Sequence, residues 1–102
     1  MGHTVTVIFS KTGDMRFISH LDLVRMFQRA SRRAHLPVTV TQGFSPRFKI
    51  SISKALKLGL ESTAEEAVFR LDRHVPPDEF MRALNARLPA GVRVVRVLEE
   101  NA

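Results

Sequence analysis

The sequence predicts an α+β domain in which two helices cover one face of an antiparallel sheet. Three observations lead there. Two stretches, His20–His35 and Pro76–Leu88, carry apolar residues at helical spacing, and each ends at a turn containing proline. The stretches around and between them alternate apolar with polar residues, as half-buried strands do. The chain has 102 residues, enough for one core and too few for two, so residues 1–102 are read as a single domain.

Thr4–Phe9 reads as the first strand, with Val5, Val7 and Phe9 on one face and Ile8 on the other. Ser10–Asp14 is a turn by composition, and Met15–Ile18 reads as a short extended return. Ser19 is a helix N-cap, and Asp22 three residues later puts an anion in the first turn. In the helix that follows, Leu23, Val24, Phe27, Ala30, Ser31 and Ala34 share one side. Arg25, Arg29, Arg32 and Arg33 take the opposite side, and Pro37 stops the helix.

Val38–Thr41 alternates as a strand, Gly43–Pro46 turns, and Phe48–Ser53 alternates again with Phe48, Ile50 and Ile52 inward. The pair predicts a hairpin with a long loop. Ala55–Leu60 is ambiguous between strand and helix. Glu65–Asp72 reads as a strand with Ala67, Phe69 and Leu71 on one face. Pro76, Pro77, Asp78 and Glu79 open a second helix with an apolar stripe of Phe80, Met81, Leu84 and Leu88. Pro89–Gly91 ends it, and Val92–Leu98 is the last strand. The order strand, helix, strand, strand, helix, strand is that of the ferredoxin-like split βαβ sandwich. The segment around residues 43–65 is an inserted strand or loop relative to that plan.

Charge is unevenly spread. The net formal charge is +6. Residues 11–60 hold ten Lys and Arg against two acids, whereas residues 61–102 hold six Arg against eight acids. The first half therefore favours an anionic partner: RNA, DNA or an acidic protein surface. The chain contains no cysteine, which excludes a disulfide framework, a thiolate nucleophile, an iron–sulfur cluster and a Cys-based zinc site. His3, His20, His35 and His74 show no metal-ligand spacing, so no metal is expected, nor is any cofactor. The N-terminal residues lack the pattern of a signal peptide and no long apolar run is present, which predicts a soluble, cytoplasmic protein with no membrane partner.

The densest concentration of binding chemistry is Gln42–Lys57. Gly43 and Pro46 bend the chain, Phe44 offers a stacking face, and Arg47, Lys49, Lys54 and Lys57 can hold phosphates. An ordinary turn with buried rings is the competing reading, and Phe48, which alternates with Ile50 and Ile52, fits it. Arg25, Arg29, Arg32 and Arg33 can extend the phosphate surface. A solvated face is the common fate of such a stripe, but here no acid stands at i±4 to pair it. Arg16 and His20 flank the start of the helix. His20 can donate a hydrogen bond to a ligand, and its role as a general base would need a second catalytic group that the spacing does not supply. No nucleophile elbow, P-loop or dinucleotide fingerprint occurs, so no catalytic residue is assigned.

Arg16-Phe-Ile-Ser-His-Leu-Asp22, Gln42-Gly-Phe-Ser-Pro-Arg-Phe-Lys-Ile-Ser51 and Leu56-Lys-Leu-Gly59 carry a resemblance to a known family. From about Val5 to Leu98 the chain resembles the radical-SAM-associated family of unknown function, the DUF2344-type domain. The resemblance implies a bacterial cytoplasmic protein whose domain either stands alone or is fused behind a B12-binding radical SAM enzyme. Genes of the family often lie near those for ribonucleases and ribosomal proteins, which implies RNA processing, RNA modification or ribosome function. Members are commonly longer, so the chain corresponds to an N-terminal half or a short form. Radical SAM chemistry itself needs cysteines that this chain lacks.

The expected function is an RNA-binding accessory domain, with tRNA or rRNA as partner. Its ligand would be held by Arg16, His20, Arg25, Arg29, Arg32, Arg33, Gln42, Phe44, Arg47, Lys49, Lys54 and Lys57. The alternative is a module that docks on a B12-binding radical SAM enzyme without binding nucleic acid. A third reading, an RNA-cleaving enzyme with His20 as base, has the least in the sequence to support it.

Overall fold

A computed structural model describes residues 3–53 and 62–100. The chain forms β1 (His3–Lys11), a 3-10 helix (Gly13–Phe17), α1 (His20–Arg33), β2 (Ile50–Ile52), β3 (Ser62–Leu71), α2 (Pro77–Asn85) and β4 (Val92–Glu100). The fold is α+β, with a four-stranded antiparallel sheet in the order β2-β3-β1-β4 and two helices.

Alternation in the strands selects the buried face. Val5, Val7 and Phe9 of β1 bury beside Ala67, Phe69 and Leu71 of β3 and Val92 and Val94 of β4. Four rings then meet edge to face: Phe9–Phe27 at 5.0 Å, Phe27–Phe69 at 5.9 Å and Phe69–Phe80 at 5.3 Å between centroids. Phe27 belongs to α1 and Phe80 to α2, so both helices lie over the same side of β3.

α1 starts and stops where its sequence says. The Ser19 hydroxyl accepts from the Asp22 backbone N–H at 3.1 Å, satisfying one of the unpaired donors of the first turn. At the other end His35 takes a left-handed φ of 55°. Leu36 N–H donates to the Ser31 carbonyl at 3.2 Å and His35 N–H to the Arg32 carbonyl at 3.1 Å, which is a Schellman closure with Leu36 as its buried apolar contact. Met26 is buried and Val24 only half-buried, so the core stripe is rotated slightly from the expected one.

β4 carries a break in its alternation. Ile8 pairs with Arg96 but Phe9 pairs with Val94, so Val95 is an extra residue and Val97 returns to the core side. Asn85, at the end of α2, clamps the irregular backbone: its amide donates to the Val94 carbonyl at 3.0 Å and accepts from Val94 N–H at 2.7 Å. At Gly91, with φ of 95°, an added Cβ would stand 2.8 Å from both the Thr12 carbonyl oxygen and Met15 Cγ. That turn needs glycine.

Four local expectations are corrected. Met15–Ile18 is not an extended return, because Gly13–Phe17 winds into a 3-10 helix closed by Met15 N–H on Thr12 O and Ile18 N–H on Met15 O. Val38–Thr41 forms only isolated bridges, Val38 to Leu71 and Val40 to Phe48, since Thr39 N–H bonds Arg70 O while Thr41 N–H turns to Arg47 O. Regular strand pairing in the second extended stretch is confined to Ile50–Ile52, shorter than Phe48–Ser53. The second helix stops at Asn85, short of Leu88, which still packs on the core. Ala55–Leu60 lies outside the described residues.

Candidate functional site

Helix α1 has two flanks with separate surroundings. One begins at the helix start, where His20, Leu21, Val24 and Gln28 follow one another up the side. Thr41 and Arg47–Ser51 face them, and Thr4, Val68 and Arg70 complete a groove of about 650 Å³. That size is within the range of about 300–1,000 Å³ usual for ligand sites.

The groove's outer wall is a loop with a closed neck. Thr41 N–H donates to Arg47 O at 2.7 Å, and Arg47 N–H donates back to Thr41 Oγ1 at 3.2 Å. Gly43 in the loop has φ of 143°, a conformation that favours glycine. Phe44 at the tip is fully exposed, and Gln42, Ser45 and Arg47 are exposed around it. Below the neck, Gln28 ties the loop to α1. Its amide donates to Phe48 O at 2.8 Å and accepts from Phe48 N–H at 2.9 Å, acting as a substitute for a neighbouring strand. Thr39 Oγ1 fixes the base by donating to Asp72 Oδ1 at 2.7 Å.

The groove is cationic without compensation. Arg47, Lys49 and Arg70 line it, and among the described residues no acid does. The pairing of Ile50 with Phe69, continued by one residue, sets Lys49 opposite Arg70, and Arg70 N–H donates to Lys49 O at 3.1 Å. Like charges directly opposite each other destabilise a strand pair. An anion bound between them would remove that cost.

The other flank of α1 presents Met26, Arg29, Ala30 and Arg33 toward Ala86–Pro89, around a smaller cavity of about 320 Å³. Arg25 and Arg32 project from the back of the helix. The expectation that the stripe lacks acidic partners is corrected at one position: Arg25 lies 3.8 Å from Asp22, at i−3. Both side chains are exposed, so the pair adds little. Arg16 is engaged locally, donating to Gly13 O at 2.8 Å and standing 4.3 Å above the Phe17 ring.

The structure thus brings His20, Arg47 and Lys49 together in the groove, with Gln42 and Phe44 exposed on the adjoining loop between the lining residues Thr41 and Arg47. Arg29 and Arg33 go to the opposite flank, Arg25 and Arg32 to the back, and Arg16 to the turn before α1. Lys54 and Lys57 lie outside the described residues. Sequence reasoning missed Gln28, Arg70 and Arg87. Arg70 alternates with Phe69 and Leu71 and so was readable as outward-facing; its position opposite Lys49 was not. Among the described residues no group of three His, Asp or Glu side chains gathers as a metal site. None of their helices is long and apolar enough to cross a membrane.

Residues 5–102 match a family described as an uncharacterized protein conserved in bacteria (DUF2344). No curated protein is significantly similar to the chain.

Proposed function

The chain belongs to the DUF2344 family, and from that premise we propose that it is an RNA-binding accessory domain serving RNA modification, RNA processing or the ribosome. Its scaffold is read as a ferredoxin-like split βαβ sandwich, a reading supported by the strand order β2-β3-β1-β4 with a helix after β1 and another after β3. The observation that carries the functional reading is a groove lined by Arg47, Lys49 and Arg70, with no acid among the described lining residues, next to the loop that carries a fully exposed Phe44.

In this reading the three cations hold the phosphates of a single strand running along the groove. Phe44 stacks on a base, worth about 1–3 kcal/mol per base. His20 and Gln42 hydrogen-bond to the ligand from the groove and the loop. Gln28 does not touch RNA; it holds Phe48, and with it Arg47 and Lys49, at the right height. The domain presents RNA and carries out no step on it, so chemistry would belong to a partner.

The test is fluorescence anisotropy with labelled tRNA, rRNA fragments and duplex DNA over a salt series. The reading expects saturable RNA binding that persists near physiological salt and exceeds duplex DNA binding, with affinity lost in Phe44→Ala. Equal, salt-labile binding of every polyanion would mean only that the protein is basic. The second reading, docking on a radical SAM enzyme, draws on the same exposed Phe44. Capture of a cysteine-containing partner that resists nuclease, together with absent RNA binding, would replace the first reading with it.

A further inference from the structure

We infer that Arg29, Arg33 and Arg87 form a second anion site, separate from the groove, that takes a doubly charged phosphoryl group. Arg29 and Arg33 stand one turn apart on α1, and Arg87 approaches them from the end of α2 across a cavity of about 320 Å³. Met26, Ala30 and Leu88 supply its apolar lining. Among the described residues no acid lines it, and none of the three guanidinium groups makes an ion pair. Three arginines lining one cavity without an ion-pair partner repel one another, and each offers a planar fork of donors suited to phosphate oxygens.

A competing account is that these arginines merely complement helix C-terminal ends. Magnitudes decide against its sufficiency. Each helix end carries about half a negative charge, so even two ends amount to roughly −1 against three full positive charges. The remaining excess of about +2 matches a terminal phosphate or a pyrophosphate group, rather than a singly charged backbone phosphodiester. Arg87, like Arg29 and Arg33, has no part in the groove, and it is the one of the three that lies off α1.

Two sources can supply such a group: the phosphorylated end of an RNA strand, or a free phosphate compound. Inorganic pyrophosphate is titrated by calorimetry into the wild-type chain, Arg87→Gln, and the double variant Arg47→Gln with Lys49→Gln. Saturable binding is expected, weakened roughly tenfold in Arg87→Gln by loss of a charge and its hydrogen bonds and within about twofold of wild type in the groove variant. Thermal melts check that Arg87→Gln, an exposed position, leaves the fold intact. No saturable binding, or weakening by the groove variant and not by Arg87→Gln, overturns the inference. A companion titration compares RNA oligomers bearing a 5′-phosphate with the same oligomers bearing a 5′-hydroxyl. An affinity gain that disappears in Arg87→Gln identifies an RNA end as source, and pyrophosphate binding without such a gain identifies a free phosphate compound. The pyrophosphate arm does not depend on RNA binding, so its failure and that of the groove reading are separable.

Discussion

The two flanks of α1 carry the same sign of charge but are built differently. The groove flank is walled by a loop whose neck pairs with itself and whose attachment to the helix runs through one amide, Gln28 on Phe48. The other flank is walled by the end of α2 and its following turn, where Leu88 packs on the core and Asn85 grips Val94. A side-chain amide holding a single residue's N–H and C=O recurs at both places. At Val94 it repairs a bulge inside a paired sheet; at Phe48 it takes the place of a second neighbouring strand, opposite the isolated bridge to Val40. The groove flank therefore depends on one side-chain amide for its tie to α1, and the loop should loosen first when that amide is lost.

The largest effect is expected from Phe44→Ala. Loss of a stacked base at about 1–3 kcal/mol corresponds to roughly 5- to 150-fold weaker RNA binding in an anisotropy titration, with an unchanged melting curve. Gln28→Ala comes next. It leaves the part-buried Phe48 N–H without its partner and the Phe48 C=O with only the Ile50 N–H, at a cost of about 1–3 kcal/mol in urea unfolding. Hydrogen exchange should quicken at Thr41, Phe48 and Lys49 while the amides of Leu23 and Phe27 keep their relative protection. Asn85→Ala should cost comparable stability through Val94 yet leave exchange in the 41–49 loop unaltered, which separates the two clamps. If Gln28→Ala and Asn85→Ala loosen the same amides, the flanks are not independent. The smallest effect belongs to His35→Gly, which relieves a left-handed φ of 55° and should raise stability by up to about 1 kcal/mol.

Much of the scaffold was legible in the sequence because its signals are local. Ser19, Asp22 and Pro37 bracket α1, and alternation in Thr4–Phe9 and Glu65–Asp72 names the buried residues of the two central strands. The Val94–Val95 doublet marks the bulge, which the reading of Val92–Leu98 as one regular strand passed over. Other features depend on partners distant in the chain. The pairing of Lys49 with Arg70 needs the register of β2 on β3, which no local pattern sets. Gln28 looks like any polar residue on an amphipathic helix until Phe48 is placed beside it. The arginine stripe read as one surface because its four positions fall on one side of a wheel; the structure divides it, since neighbouring elements reach only the edges of that arc.

The most direct test of the groove as the RNA site is the salt dependence of binding to a single-stranded RNA. Removing one cation–phosphate pair should reduce the slope of log K against log salt by about 0.7, so Arg47→Gln with Lys49→Gln should flatten it by about 1.4. Arg25→Gln with Arg32→Gln, an equal change of charge on the back of α1, should leave the slope close to that of the wild type. Flattening by the back variant with none from the groove variant would put the RNA on the back of α1 and rule out the groove.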